Sequence, residues 1–268
     1  MFPLAGNEFP ATSAELAASI RGALADVFTL PSAAGAVLVT GEFPAIGSLT
    51  LNLDGATIRS THLPPKPVGA GQRKPGIMVE ELKISGHPIR HQEARLDLDV
   101  TATGLRFDFG CDSQGHPLLV LADAKDGNVQ ASISTADLQA LLLEAAKLAA
   151  AQQGVTIQDL QLELSPRGPR SIAASVRVKA KKMFMSGIIH LRGQLDIDDQ
   201  LNATVSKLIC TGEGMVGSAA AGFLQKKLDS YEGTSIPLMA FSLGDVTLRD
   251  LQIKVNGALQ VTAAFGHG

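Results

Sequence analysis

Residues 155–164 read VTIQDLQLEL, and residues 246–255 read VTLRDLQIKV. Five of the ten aligned positions are identical, and a weaker third copy, IMVEELKI, occupies residues 77–84. In each copy the alternation of apolar and polar residues slips by one position at an acidic residue. A β-bulge produces such a slip, because its extra residue bends and twists the strand. The repeat therefore predicts long, strongly curved β-strands.

Other segments alternate apolar and polar residues with a period of two, which is the pattern of a strand with one buried face. They are residues 49–53, 96–102 and 171–179. Parallel sheets that are covered on both faces show continuous apolar runs instead. We therefore expect antiparallel sheets.

Three segments show the apolar spacing of amphipathic helices. Thr12 and Glu15 form a capping-box pattern ahead of a helix predicted over residues 13–28. Two further helices are predicted over residues 135–153 and 217–232. Together with the strands, they predict an α+β fold in which a strongly curved antiparallel sheet is rolled around long amphipathic helices.

The chain of 268 residues is long enough to bury a large core. Residues 62–76 are rich in Pro and Gly, which predicts a flexible surface loop. We expect a single module over residues 1–268, in which this loop could separate an N-terminal sub-region, residues 1–61, from the rest.

The formal net charge is −3, from 23 Lys and Arg against 26 Asp and Glu. This balance excludes a protein that binds nucleic acid through a basic domain. Two cysteines are too few for a disulfide framework or a four-cysteine zinc site. The N-terminal residues lack the pattern of an export signal, and no apolar run approaches the roughly 20 residues that span a bilayer. We therefore expect a cytoplasmic or membrane-peripheral protein.

Residues 212–217, GEGMVG, match the glycine pattern of a dinucleotide-binding loop. That loop needs a parallel sheet behind it, whereas the neighbouring segments alternate as antiparallel strands do. We interpret Gly212, Gly214 and Gly217 as a turn that admits close packing of a helix. A nucleotide-dependent enzyme that uses Gly212 to Gly217 is kept as an alternative.

Several titratable side chains stand close together in sequence, namely His87 with His91, Cys111 with His116, Asp97 with Asp99, and Asp196 with Asp198. Each pair could offer metal ligands or acid–base groups. Each also fits a solvated loop, a turn or the polar face of a sheet, where such residues are more common. We therefore predict no catalytic residue, no cofactor and no metal site, and a protein that is not an enzyme.

The order of elements around the second predicted helix resembles a known family. Residues 131–138, ASISTADL, lead into the helix, and strands at residues 155–164, 175–180 and 187–189 follow it. This order is similar to that of the LmeA-like phospholipid-binding family, which is related to the tubular lipid-binding (TULIP) proteins. The resemblance covers residues 76–201 best. It implies a sheet rolled around a long helix, an apolar groove for acyl chains and no catalytic motif.

The sequence thus predicts non-catalytic binding of a phospholipid or another long apolar ligand, with transient docking to a membrane. Flexible methionine side chains, which adapt to alkyl chains, support this hypothesis. The residues expected to line the groove are apolar and long, namely Leu141, Leu148, Met185, Phe223, Leu228 and Met239. A different class of protein fits the same pattern, namely a structural or interaction module with a fully packed core that could form homo-oligomers.

Overall fold

The computed structural model of the protein describes residues 1–59, 69–238 and 245–267. The described part of the chain is mostly β-sheet, with 59% of its residues in strands and 19% in helices. The helices are α1 (Ser13–Val27), α2 (Thr135–Ala151) and α3 (Gly214–Leu228). Helices α1 and α2 lie where the sequence predicted them, and α3 begins and ends a few residues earlier than predicted.

The strands vary from two residues to 23 residues in length. In chain order they are β1 (Phe2–Pro3), β2 (Phe28–Thr29), β3 (Val37–Glu42), β4 (Ala45–Asn52), β5 (Thr57–Ile58), β6 (Gly69–His91), β7 (Ala94–Asp112), β8 (Pro117–Ser134), β9 (Thr156–Gly168), β10 (Ser171–Lys182), β11 (Met185–Ile197), β12 (Asn202–Glu213), β13 (Ser235–Pro237), β14 (Leu248–Val255) and β15 (Ala258–Phe265).

The larger sheet contains ten strands among the described residues. Its main order is β14-β15-β8-β7-β6-β4-β3; in addition, β1 pairs with β8, β5 pairs with β6, and β2 pairs with β5. Strand β4 pairs in parallel with β6, with Ala45 opposite Met78, so the expectation of purely antiparallel sheets is wrong here. Residues 69–76 of the predicted surface loop belong to β6, and residues 60–68 lie outside the described residues.

The chain forms two compact units. The first contains Met1–Ser132, Phe241–Leu251 and Val261–Gly268, and the second contains Ile133–Ala240 and Gln252–Gln260. The predicted sub-region of residues 1–61 falls within the first of these ranges.

Helix α1 anchors the core of the first unit. It begins at the predicted capping box, in which the Thr12 hydroxyl accepts from the Glu15 amide and the Glu15 carboxylate accepts from the Thr12 amide. Leu16, Ile20 and Leu24 follow at intervals of four residues and are buried in one cluster with residues of the larger sheet. Burial of each such side chain contributes about 1.5–3 kcal/mol, so this face fixes the helix on the sheet.

The described part of the second unit contains a five-stranded sheet with two helices on one face. Its order is β13-β12-β11-β10-β9, and neighbouring strands in it pair antiparallel. Helix α2 packs on the edge strand β9, and α3 packs on β11 and β12. The shared apolar cluster includes Leu160, Val178, Ile189, Cys210 and Ala221.

The predicted fold class, a sheet rolled around long amphipathic helices, is wrong. The helices have 15, 17 and 15 residues, whereas β6 alone has 23. None of the residues of α2, all of which are described, is buried. The apolar stripe of α2 is not enclosed by sheet: one side of the helix, which includes Leu138 and Leu143, packs on the cluster of the second unit, whereas Leu148 is exposed.

All three copies of the repeat lie in strands, as predicted. In β9 the register against β10 shifts next to Asp159, so Gln158 is the extra residue of a bulge. The second copy forms β14. In the third copy, which lies in β6, the pairing with β7 continues through Glu81 without a shift, so the predicted bulge is absent there.

Candidate functional site

Five of the six residues predicted to line a groove lie in the described part of the second unit. Phe223 is 72% exposed and Leu148 64% exposed, whereas Met185 is 40% exposed. Leu141 and Leu228 are half-buried. None of these five side chains lines the concave pocket that lies on the opposite face of the sheet. Met239 lies outside the described residues.

The turn that joins β10 to β11 is made of two large apolar residues. Met183 is 75% exposed, and Phe184 is 93% exposed. Met183 also has a left-handed backbone, with φ of 54°, which two-residue turns usually give to Gly, Asn or Asp. Such a conformation costs roughly 1–3 kcal/mol for other residues. Neither turn preference nor burial explains this pair.

Two more exposed apolar residues, Met215 of α3 and Leu148 of α2, lie at the same end of the sheet. A Cβ placed on Gly214 would lie 3.0 Å from the carbonyl oxygen of Ser186, so Met215, which follows it, is beside the start of β11. The C-terminal end of α2, which carries Leu148, lies at this end of the sheet as well. The amide of Val155 donates to the carbonyl of Ala150 at 3.0 Å, and β9, which begins at the next residue, pairs with the end of β10. We call Leu148, Met183, Phe184, Met185 and Met215 the apolar tip.

The outer faces of the two helices continue this apolar surface. On α2 the residues that pack on the sheet include Leu138, Leu143 and Ala146, while the exposed side carries Leu142, Ala145, Leu148 and Ala149. On α3 the exposed side carries Met215, Ala219, Gly222 and Phe223. Counted from the first residue of each set, the spacings are three, six and seven residues on α2 and four, seven and eight on α3, which places each set on one helix face.

Lysine side chains border the apolar tip. Lys181 and Lys182 are exposed and directly precede the turn. The nearby carboxylates are partly engaged: Asp159 lies opposite Lys179 in the β9–β10 register, and Glu213 lies 3.2 Å from the ring of His190. The tip therefore combines exposed apolar side chains with adjacent positive charge.

The glycine pattern at residues 212–217 serves close packing, as predicted. A Cβ on Gly212 would lie 2.0 Å from the carbonyl oxygen of Gly217, and a Cβ on Gly217 would lie 2.4 Å from that of Ile188. The start of α3 therefore rests directly on the backbone of β11 and β12. Strand β12 pairs antiparallel with β11 and with β13, so the parallel sheet of a dinucleotide-binding loop is not present around it in the described residues.

His87 lies in β6 and not in the predicted solvated loop. Its Nε2 lies 2.9 Å from Asp99 and its Nδ1 lies 3.8 Å from Asp97, while its amide donates to Asp54 at 2.8 Å. The hydrogen bond to Asp99, followed by the charges of these carboxylates, raises the pKa of His87. The local sequence did not indicate this cluster, because Asp54 is distant in the chain and Asp97 lies across a strand pair.

The other titratable pairs make local structural contacts. His116 bonds to Asp112 at 3.1 Å, and hydrogen bonds from the backbone and ring of His116 lower the pKa of Asp112. Asp196 accepts from Ser171 at 2.5 Å, which is the main reason that its pKa is lowered. Asp198 accepts from the side chain and the amide of Asn202, which lowers its pKa. Each contact fits a turn or a sheet edge.

The uncovered face of the second unit's sheet contains a concave pocket of about 620 Å³. We call it the open-face pocket. Its lining residues include Arg167, Arg192, Lys207 and Glu163, together with small residues such as Ser175. The sequence alone does not indicate a site at these residues. Their only local signal is that polar side chains alternate along β9, β10 and β11, which the surface of any half-exposed sheet also shows.

Among the described residues, no three His, Cys, Asp or Glu side chains are grouped so that they could hold a metal ion. No helix within the described ranges is both long enough and apolar enough to cross a membrane.

Comparison with known proteins adds no relative to this picture. No family model, no curated protein and no solved structure matches the chain. The resemblance to the LmeA-like phospholipid-binding family therefore stays a hypothesis that rests on the order of its sequence segments.

Proposed function

We propose that the protein binds phospholipid without catalysing a reaction, and that it does so by docking the apolar tip into the surface of a membrane that contains anionic lipids. The observation that carries this proposal is the turn of Met183 and Phe184. Two large apolar side chains are held in solvent there, and one of them has a backbone conformation that favours glycine. A lipid ligand follows from this surface and does not require the enclosed groove that the sequence predicted.

The energies of such a contact are sufficient for reversible binding. Full burial of one Phe or Met side chain contributes about 1.5–3 kcal/mol, so partial insertion of three or four of them contributes several kcal/mol. Each lysine near an anionic surface adds about 1 kcal/mol. Lys181 and Lys182 are placed beside the turn, where they would meet lipid headgroups as the apolar side chains enter the acyl region.

The outer faces of α2 and α3 extend the contact. Leu148 and Phe223, two of the residues predicted to touch lipid, are exposed on these faces. An acyl chain lying along either helix would cover apolar surface that the protein leaves open to water. The lipid contact would then be an open surface formed by the second unit.

Binding to sucrose-loaded vesicles tests the proposal. The Met183→Gly/Phe184→Ser variant removes the apolar turn and gives it a sequence that two-residue turns favour. We expect strong loss of sedimentation with vesicles of phosphatidylcholine and phosphatidylglycerol. Lys181→Gln/Lys182→Gln should weaken the same binding by roughly thirtyfold, from about 1 kcal/mol per charge, and should make it less sensitive to salt.

A matched control uses exposed apolar residues of the first unit. Leu38 and Met78 are exposed, and Leu38→Ser/Met78→Ser should leave vesicle binding unchanged. Equal binding by the control and the turn variant would contradict the proposal. So would self-association of the parent protein that is lost in the turn variant while vesicles are ignored, because that result would identify a second copy of the chain as the occupant of the tip.

A further inference from the structure

The open-face pocket holds positive charge that the proposed membrane contact does not use. Its lining includes Arg167, Arg192 and Lys207 and a single carboxylate, Glu163. The lining therefore has a formal charge of +2, although the whole chain has a formal charge of −3. Positive charge concentrated in a concave site attracts an anionic ligand more strongly than the same charges spread over a surface.

Two of the three cationic side chains, those of Arg167 and Lys207, lie at irregularities in the pairing of their strands. The register of β9 against β10 shifts at Arg167, which is left as the extra residue. The register of β12 against β11 shifts beside Lys207, whose φ is 55°. Bulges re-aim side chains and are common beside binding sites. Two separate strands thus depart from regular pairing at residues that line the same pocket.

Lys207 is fixed in place by hydrogen bonds from its backbone and its side chain. Its amide donates to Glu232 at 2.8 Å, and its Nζ donates to Gln194 Oε1 at 2.7 Å. The Gln194 amide group in turn donates to Asp196 at 2.9 Å. The ammonium group is therefore held beside the pocket before any ligand arrives, which lowers the entropic cost of binding.

The two arginines retain their hydrogen-bonding capacity. In the part of the chain that the structure describes, neither Arg167 nor Arg192 has an ion pair or a side-chain hydrogen bond. Ser175 pairs with Arg192 on one side and with Glu163 on the other, and all three residues line the pocket. A guanidinium fork binds two oxygens of a phosphate or carboxylate, and a serine hydroxyl can donate to a third.

We propose that the open-face pocket binds the phosphate group of a small phosphomonoester. At neutral pH such a group carries close to two negative charges, which matches the formal charge of the lining. Ala173, Ala174 and Ile209 offer apolar contact to the organic part of the ligand, and Glu163 can accept from a hydroxyl group. None of the residues that line the pocket, all of them described, is aromatic, so the pocket has no platform on which a nucleobase could stack.

Calorimetric titration with three probes tests the site and distinguishes its sources of ligand: inorganic phosphate, glycerol 3-phosphate and dihexanoyl phosphatidic acid. We expect saturable binding of at least one organic probe that is tighter than the binding of inorganic phosphate. Tighter binding of glycerol 3-phosphate identifies a soluble ester, and tighter binding of phosphatidic acid identifies a lipid headgroup. Either result supports the proposal.

Substitutions locate the binding. Arg192→Gln and Arg167→Gln should each weaken it by roughly tenfold or more, as expected for hydrogen bonds to a charged group. Glu163→Gln should strengthen it, because a repulsive carboxylate is removed. Arg177→Gln is the matched control, since Arg177 lies on β10, two residues from Ser175 and on the same face of the sheet, but outside the pocket lining, and its effect should stay within about twofold.

Three results would overturn the proposal. The first is the absence of saturable binding by every probe at millimolar concentration. The second is an effect of Arg177→Gln as large as that of Arg192→Gln, which would show a diffuse surface charge. The third is binding of inorganic phosphate as tight as that of both organic probes. The melting temperature of each variant verifies folding, and Arg167→Gln serves where Arg192→Gln is destabilised.

Discussion

Gly212, Gly214 and Gly217 let the start of α3 lie on the backbone of its sheet, so single substitutions at these glycines should change the stability of the protein. A Cβ on Gly217 would lie 2.4 Å from a backbone oxygen, a distance that real Cβ atoms do not show. We expect Gly217→Ala to destabilise the protein by about 1–3 kcal/mol, because the helix must move away from β11. Urea unfolding followed by circular dichroism measures this loss.

Gly222 provides the control within the same helix. Nothing lies within 4 Å of a Cβ added there, and its backbone is helical. Gly222→Ala should therefore stabilise the protein by roughly 0.5–1 kcal/mol, the usual gain in an exposed helix. If both substitutions have the same sign, then the glycines of α3 do not differ in packing as described.

His87 predicts a dependence of stability on pH. Its pKa is raised in the folded protein, chiefly by the hydrogen bond to Asp99, so the folded state binds the proton more tightly than the unfolded chain. This contribution is fully present below the unfolded pKa of about 6.5 and is lost as the pH rises through the higher folded pKa. Because the ring is largely exposed, we expect less than about 1 kcal/mol.

The measurement compares the parent protein with Asp99→Asn. The difference in their free energies of unfolding should be largest near pH 5.5 and should shrink towards pH 8.5. His87→Gln should abolish the same pH-dependent difference. A difference that grows with pH would show that the sign of the His87 contribution is wrong.

At the scale of elements, the turn between β10 and β11 exposes two apolar side chains and holds one of them in an unfavourable backbone conformation. Met183 occupies a backbone conformation that glycine adopts without strain. We therefore expect Met183→Gly/Phe184→Ser to leave the free energy of unfolding unchanged or to raise it by up to about 1 kcal/mol. Thermal unfolding measures this. A loss of more than 1 kcal/mol would show that the turn residues stabilise the fold, and would remove the argument that they serve a contact outside the chain.

Elements that are determined by residues close together in the sequence could be predicted, whereas the strands and surfaces with which those elements pair could not. The capping box of Thr12 and Glu15 and the strands of the repeat follow from local spacing. The spacing of residues in the sequence does not indicate that β4 pairs in parallel with β6 or that Leu148 faces solvent. The open-face pocket could not be predicted from the sequence for the same reason, because Arg167, Arg192 and Lys207 come together only through the register of four strands.

At the scale of the whole molecule, the chain passes between its two compact units four times, at residues 132–133, 240–241, 251–252 and 260–261. Strands β14 and β15 each contribute residues to both units. Unfolding one unit therefore disturbs strands that the other unit needs, and we expect the two to unfold in one cooperative transition.

The single tyrosine makes this testable, because Tyr231 lies in the second unit and reports its unfolding through fluorescence. Leu16 is fully buried in the first unit, so Leu16→Ala should cost about 2–5 kcal/mol. If the units are cooperative, the urea midpoint measured by Tyr231 fluorescence will fall by the same amount as the midpoint measured by circular dichroism. An unchanged fluorescence midpoint would show instead that the second unit folds independently. The apolar tip and the open-face pocket could then be studied on that unit alone.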